Sequence, residues 1–171
     1  MSKSSSCNPS FAADAMLGKL SRKLRIFGFD TIYNPNIDDS ELINLSTSNG
    51  RIVLTSDREL FVKCKMKKVK AILVNEKTEI ENLVEIFDSI DIKKIELQLI
   101  PKRCTLCNEL LDLVDSQSVS KHLPEHVLMC NDFVYRCKKC SKFYWKGSHI
   151  EHMSKLANRI NLKLLHLINE R

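Results

Sequence analysis

Two pairs of cysteines at C-x2-C spacing, Cys104-Thr-Leu-Cys107 and Cys137-Lys-Lys-Cys140, constrain this chain more than any other feature. Each pair lets two thiolates and the neighbouring backbone amides wrap one ion. Two such knuckles offer four sulfurs in a tetrahedron, the set that favours zinc. Four thiolates leave no open position, so the ion is expected to be structural rather than catalytic. A redox pair and an iron–sulfur cluster are the competing readings of the same spacing. Residues 101–150 carry only short apolar runs, and zinc at such a site supplies about 10–16 kcal/mol of apparent folding energy. Loss of one knuckle cysteine is therefore expected to unfold a zinc ribbon over 101–150 and to spare what precedes it. Cys7, Cys64 and Cys130 read as ordinary thiols. Pro124 separates His122 from His126 and argues against one helical ligand face.

Thiolate ligands suit a reducing compartment. Residues 1–10 lack the apolar stretch of a signal peptide, and no apolar run approaches the roughly 18 residues of a membrane span. A cytoplasmic monomer with no membrane partner is expected. The 171 residues are 43% apolar and 28% charged, which permits a buried core and excludes wholesale disorder.

Residues 10–90 alternate short apolar runs with helical patterns. Phe11-Ala-Ala, Thr31-Ile-Tyr33, Arg51-Ile-Val-Leu54 and Ala71-Ile-Leu-Val74 read as strands. Helices are predicted over 15–27, 40–48, 58–65 and 78–90, the last opened by the capping-box spacing Thr78-Glu-Ile-Glu81. Such alternation predicts an α/β fold, a parallel sheet with flanking helices, over residues 8–100. A basic amphipathic helix is predicted over 151–171. Met153, Leu156, Ile160, Leu164 and Leu167 form its stripe, which would dock on the ribbon through Met153, Leu156 and Ile160 and leave Lys155, Arg159 and Lys163 facing out.

Asp14, Asp38 with Asp39, and Asp57 each follow a predicted strand and open a helix. Strand ends of this kind share one edge of a parallel sheet, where open α/β folds place ligands. Carboxylates gathered there would hold Mg²⁺ or Mn²⁺, activate a water and support attack on a phosphodiester. Helix N-capping explains the same residues one at a time, and Asp39 is the better cap of its pair.

The net charge of +6 is unevenly placed. Residues 1–100 hold 15 Lys and Arg against 14 Asp and Glu, whereas residues 101–171 hold 12 against 7. Three clusters are candidates for RNA phosphates. The first is Lys19, Arg22, Lys23 and Arg25. The second, Arg58 to Lys70, includes Lys65, Lys67 and Lys68. The third is Arg136, Lys138, Lys139, Lys142 and Lys146, with Tyr144 available to stack on a base. Lys155 and Arg159 extend this set. Phe143 and Trp145 read as packing around the knuckle.

Phe11-Ala-Ala-Asp14-Ala-Met-Leu-Gly-Lys-Leu-Ser-Arg-Lys-Leu-Arg25, Gly28-Phe-Asp30-Thr, Asp38-Asp39 and Arg51-Ile-Val-Leu-Thr55-Ser-Asp57 together resemble the Mut-seven C-terminal RNase domain family. Arg103-Cys104, Cys107-Asn108, Pro124, Cys137, Cys140 and Tyr144-Trp-Lys-Gly147-Ser-His149 continue the resemblance, which covers residues 10–152 in order. It implies a PIN-like nuclease fold followed by a zinc ribbon, with acidic positions at Asp14, Asp38 or Asp39, and Asp57. Lys23 stands where the family carries an aromatic, and a fourth acid is not evident. In length and layout the chain also resembles stand-alone dormancy factors of the microsporidian kind. That implies an RNA-binding, ribosome-associated hibernation protein, contacting rRNA and ribosomal proteins, which occupies a tRNA or mRNA site and silences translation. The alternative is a metal-dependent endoribonuclease acting on structured RNA.

Overall fold

A computed structural model describes residues 8–75, 77–96 and 102–171, so Cys7 and the expected boundary near residue 100 lie outside the described residues. Strand β1 (Phe11–Ala13) is fully buried and lies between β2 (Thr31–Tyr33) and β3 (Ile52–Thr55), with β4 (Ala71–Leu73) beyond β3. All three pairings are parallel. The intervening segments fold as α1 (Gly18–Ile26), α2 (Asp39–Asn49) and α3 (Arg58–Met66), and α4 (Glu79–Ser89) follows β4. Successive strand residues face opposite sides. Phe11 and Leu54 therefore join Leu24, Leu83 and Phe87 in one core, while Ala12 and Val53 join Leu42, Leu60 and Cys64 in the other.

The predicted helix over 15–27 starts later than its pattern suggests. Residues Ala15–Leu17 form a 3-10 turn before α1. Tyr33 reaches over this turn and donates its hydroxyl to the Ala15 carbonyl at 3.0 Å. Gly18 lies directly beneath that ring, where a Cβ would sit 2.7 Å from the Tyr33 oxygen. At the other end of the sheet, Gly50 closes α2 at φ 62°, the left-handed geometry that suits glycine. The capping box at α4 forms as predicted. Thr78 accepts the Glu81 N–H, and the Glu81 carboxylate accepts the Thr78 N–H.

The second part of the chain is an antiparallel three-stranded sheet in the order β5 (Leu111–Asp115), β6 (Phe133–Cys137), β7 (Phe143–Tyr144). The short helix α5 (Glu125–Cys130) packs on it through a small core of Leu123, Val127 and Val134.

Helix α6 (Ser148–Asn169) overturns one expectation. Its stripe of Met153, Leu156, Ala157, Ile160 and Leu164 buries against Leu20, Leu24, Leu83 and Phe87, not on the ribbon. The ribbon core is too small to receive such a stripe, whereas α1 and α4 present a broad apolar face. Asn161 fastens the contact by pairing with both backbone groups of Ile95, each at 2.9 Å.

Candidate metal centre, acidic edge and basic groove

The two knuckles carry one hydrogen-bond pattern twice. The Asn108 N–H donates to Cys104 O and the Ser141 N–H to Cys137 O, each at 2.9 Å. The Cys104 N–H donates to Glu109 O at 2.7 Å, and the Cys137 N–H to Lys142 O at 2.9 Å. Asn108 and Ser141 both take positive φ, 69° and 59°, which turns each chain back past its cysteine pair. The four Sγ atoms of Cys104, Cys107, Cys137 and Cys140 consequently lie within 4.8 Å of one another. A tetrahedral ion with bonds of about 2.3 Å requires such spacing. The Cys140 N–H also points at Cys137 Sγ, at 3.4 Å. Burial alone would raise the Cys104 thiol. Hydrogen bonds from the Tyr144 hydroxyl, the Cys107 and Leu106 N–H groups and the Cys140 thiol outweigh it and bring it down to about 6. Burial holds Cys107 up, at about 12. Four sulfurs held at this spacing suit a structural metal such as zinc.

Arg25 departs furthest from its expected role as a phosphate contact. It is 2% exposed. Its Nε donates to Thr31 O at 2.8 Å, and its Nη1 to Thr105 O and Leu106 O, each at 2.9 Å. These carbonyls are the two residues inside the first knuckle, so Arg25 joins the metal centre to the sheet. Asn108 adds a second tie, accepting the Thr31 N–H at 3.0 Å and donating to Asp30 at 2.7 Å. Asp30 in turn receives both terminal nitrogens of Arg51, at 2.8 and 3.1 Å. Asp30, Arg51, Asn108 and Asn161 carry no local pattern that singles them out. Three of them are marked only through the resemblance, by the Gly-Phe-Asp-Thr run, the Arg51-to-Asp57 run and the Asn after the knuckle.

The acidic residues lie at the C-terminal edge of the parallel sheet. Thr55 links two of them: its hydroxyl donates to Asp14 Oδ2 at 2.8 Å and accepts the Asp57 N–H at 2.9 Å. Asp57 caps α3 through the Glu59 and Leu60 N–H groups, and Asp38 caps α2 through the Glu41 N–H. Asp38, not Asp39, is the cap of its pair. Asp39 instead pairs with Lys63 at 2.8 Å. Among the described residues, the knuckle cysteines are the one group of three or more potential ligands found at mutual metal-binding distance.

Three members of the first basic cluster and one member of the third meet at one groove. A cavity of ≈ 330 Å³ is lined by Lys19, Arg22 and Lys23 of α1 and by Lys142 of the second knuckle. It shares Ile26, Thr105 and Lys142 with a neighbouring cavity of ≈ 450 Å³ that Tyr144 and Trp145 line. Lys19, Arg22 and Lys142 are exposed. Lys23 is more enclosed and pairs with Glu79, and burial lowers its pKa. Tyr144 turns its hydroxyl into the knuckle, 3.1 Å from Cys104 Sγ and 3.0 Å from the Thr105 N–H it accepts. That oxygen is committed to the metal centre. Lys138 pairs with Asp112 at 3.1 Å. Arg136, Lys139 and Lys146 are exposed elsewhere on the ribbon, Lys65, Lys67 and Lys68 around the end of α3, and Lys155 and Arg159 on α6. No described helix is long and apolar enough to cross a membrane.

A family model described as "Mut7-C RNAse domain" matches residues 9–157. Comparison with curated proteins and with solved structures returned no match.

Proposed function

Because the chain belongs to the Mut7-C RNAse domain family, we propose that it binds RNA through the groove between α1 and the ribbon. The observation that carries this reading is the convergence there of Lys19, Arg22 and Lys142 from parts of the chain far apart in sequence. Phosphate contacts of this kind make affinity fall with salt, with a logarithmic slope of about −0.7 to −0.9 per contact. In its finer form the reading places the protein on rRNA in the ribosome, in the cytoplasm, as a monomeric hibernation factor that occupies a tRNA or mRNA site. The excess charge of the ribbon and α6, and a rigid body able to wedge between phosphates, support it. Sedimentation through a sucrose gradient tests it: co-migration with ribosomes at low salt and release at high salt is expected. Protein that stays at the top at low salt refutes the ribosomal form.

A second reading, cleavage of RNA with Mg²⁺ or Mn²⁺, is favoured by the link of Asp14 and Asp57 through Thr55 on one sheet edge. Asp14, Asp57 and Asp38 or Asp39 would hold the ion, which would supply an activated water. Incubation of structured RNA with Mn²⁺, wild type beside Asp14→Asn, tests it. Equal rates in the two proteins would assign any cleavage to contamination.

A further inference from the structure

The cavity beside the second knuckle differs from the rest of the basic surface. It measures ≈ 450 Å³ and is bounded by His126, Lys142, Phe143, Tyr144, Trp145 and Ile150, among others. Small-ligand pockets run from about 300 to 1,000 Å³. Among the described residues, no Asp or Glu lines this cavity or the one it joins. Its three aromatics are not equivalent. Phe143 already has His122 stacked on it, centroids 6.0 Å apart, and the Arg136 guanidinium 5.7 Å from its centroid. Tyr144 has Lys142 at 5.7 Å, and its hydroxyl is held in the knuckle. Trp145 packs in part on the ribbon core, yet among the described residues no ring and no cation stacks on its indole. It also lines the cavity.

We infer that this cavity takes one unpaired nucleotide, its base on the Trp145 indole and its phosphate at Lys142, with the flanking strand running along Lys19 and Arg22 of α1. The inference rests on the RNA-binding reading and adds a preference to it. The charge of the rim selects a polyanion. The apolar, aromatic interior selects a base that has left its helix, because a paired base hides both faces in the stack. Helix α1 spans about 13 Å from the knuckle towards the Asp14 edge, so a strand held this way would lead from the cavity to the sheet edge.

Trp145 is the chain's one tryptophan, so its emission reports on the cavity directly. The zinc-loaded full chain is titrated with a short oligouridine and, separately, with a blunt RNA duplex of the same length. Trp145 fluorescence is read beside the anisotropy of end-labelled RNA. The oligouridine is expected to quench Trp145 as it binds, and the duplex to raise anisotropy without quenching. Trp145→Leu, which keeps an apolar side chain against the ribbon core, is expected to weaken the single strand about five- to a hundredfold and the duplex far less. If that variant fails to fold, Lys142→Glu on the exposed rim replaces it; because Lys142 also lines the groove, it is expected to weaken both RNAs, and quenching by the oligouridine alone then carries the selectivity. Single-strand binding without quenching, and unchanged by either substitution, overturns the cavity assignment and leaves RNA binding standing. Failure of both RNAs to bind removes the RNA-binding reading and this inference together.

Discussion

The side-chain oxygen of Asn108, one residue past the first knuckle, accepts the backbone N–H of Thr31, the first residue of β2, at 3.0 Å. A residue whose conformation is set by the metal centre thus completes the edge of the sheet. Zinc occupancy and sheet integrity are expected to be coupled, against the sequence-based expectation that the first domain survives alone. The protein should carry one zinc by elemental analysis. Chelation or Cys104→Ser should lower the melting temperature of the whole far-UV signal. A ribbon that melts while the α/β transition stays in place would refute the coupling.

Arg25→Met tests the same connection from the other side. The substitution leaves the carbonyls of Thr31, Thr105 and Leu106 without their charged donor. Hydrogen bonds to charged groups contribute about 1.5–3 kcal/mol, and buried orphans add to the loss. A destabilisation of about 3 kcal/mol or more is expected in urea unfolding. Lys23→Met, two residues earlier in α1 and only partly enclosed, should cost far less.

Asp30 supplies a pH dependence. Burial pushes its carboxyl up, but hydrogen bonds from Arg51 and Asn108, and the charges of Arg51 and Arg103, together hold it below the ordinary Asp range. A carboxyl that titrates lower in the folded state contributes stability that is complete above the unfolded value of about 3.9 and is lost as pH falls through the folded one. Denaturant midpoints measured from pH 5 downward should fall, and Asp30→Asn should start lower and flatten that limb. An equally steep limb in the variant would assign acid sensitivity to other groups.

Asn161→Leu should detach α6 from the segment that follows α4. Ile95 is 5% exposed, and both of its backbone groups depend on Asn161. Two lost hydrogen bonds with buried partners cost about 2–4 kcal/mol. Hydrogen exchange at the Ile95 amide is the direct measurement.

The elements of the α/β part were legible because each is fixed by nearby residues: β-branched runs, the Thr78 capping box and Gly50 in its left-handed turn. The knuckles were legible for the same reason, since spacing alone brings each pair of sulfurs together. Arg25 was misread because a cation on an amphipathic helix looks the same whether it meets water or a carbonyl from residue 105. The carboxylates were readable as to which edge they occupy but not as to their partners. Capping of α2 by Asp38, capping of α3 by Asp57 and the ion pair of Asp39 with Lys63 depend on side-chain directions that strand and helix patterns leave open. The seat of α6 was hidden likewise. An apolar stripe states that something covers it, and only the relative size of the two available cores decides which.

That seat sets an order of events during synthesis. The core formed by Phe11, Leu24, Leu83 and Phe87 is completed by Met153, Leu156 and Ile160. A chain growing from its N-terminus therefore carries uncovered apolar faces on α1 and α4 while the whole ribbon is being made. Contacts so far apart in sequence form slowly, and such exposed intermediates are prone to aggregate. The ribbon lies between the two halves of this core along the chain. Capture of zinc by the nascent ribbon would bring its own ends together and deliver α6 to its place, so metal supply would govern the yield of folded protein as well as its stability.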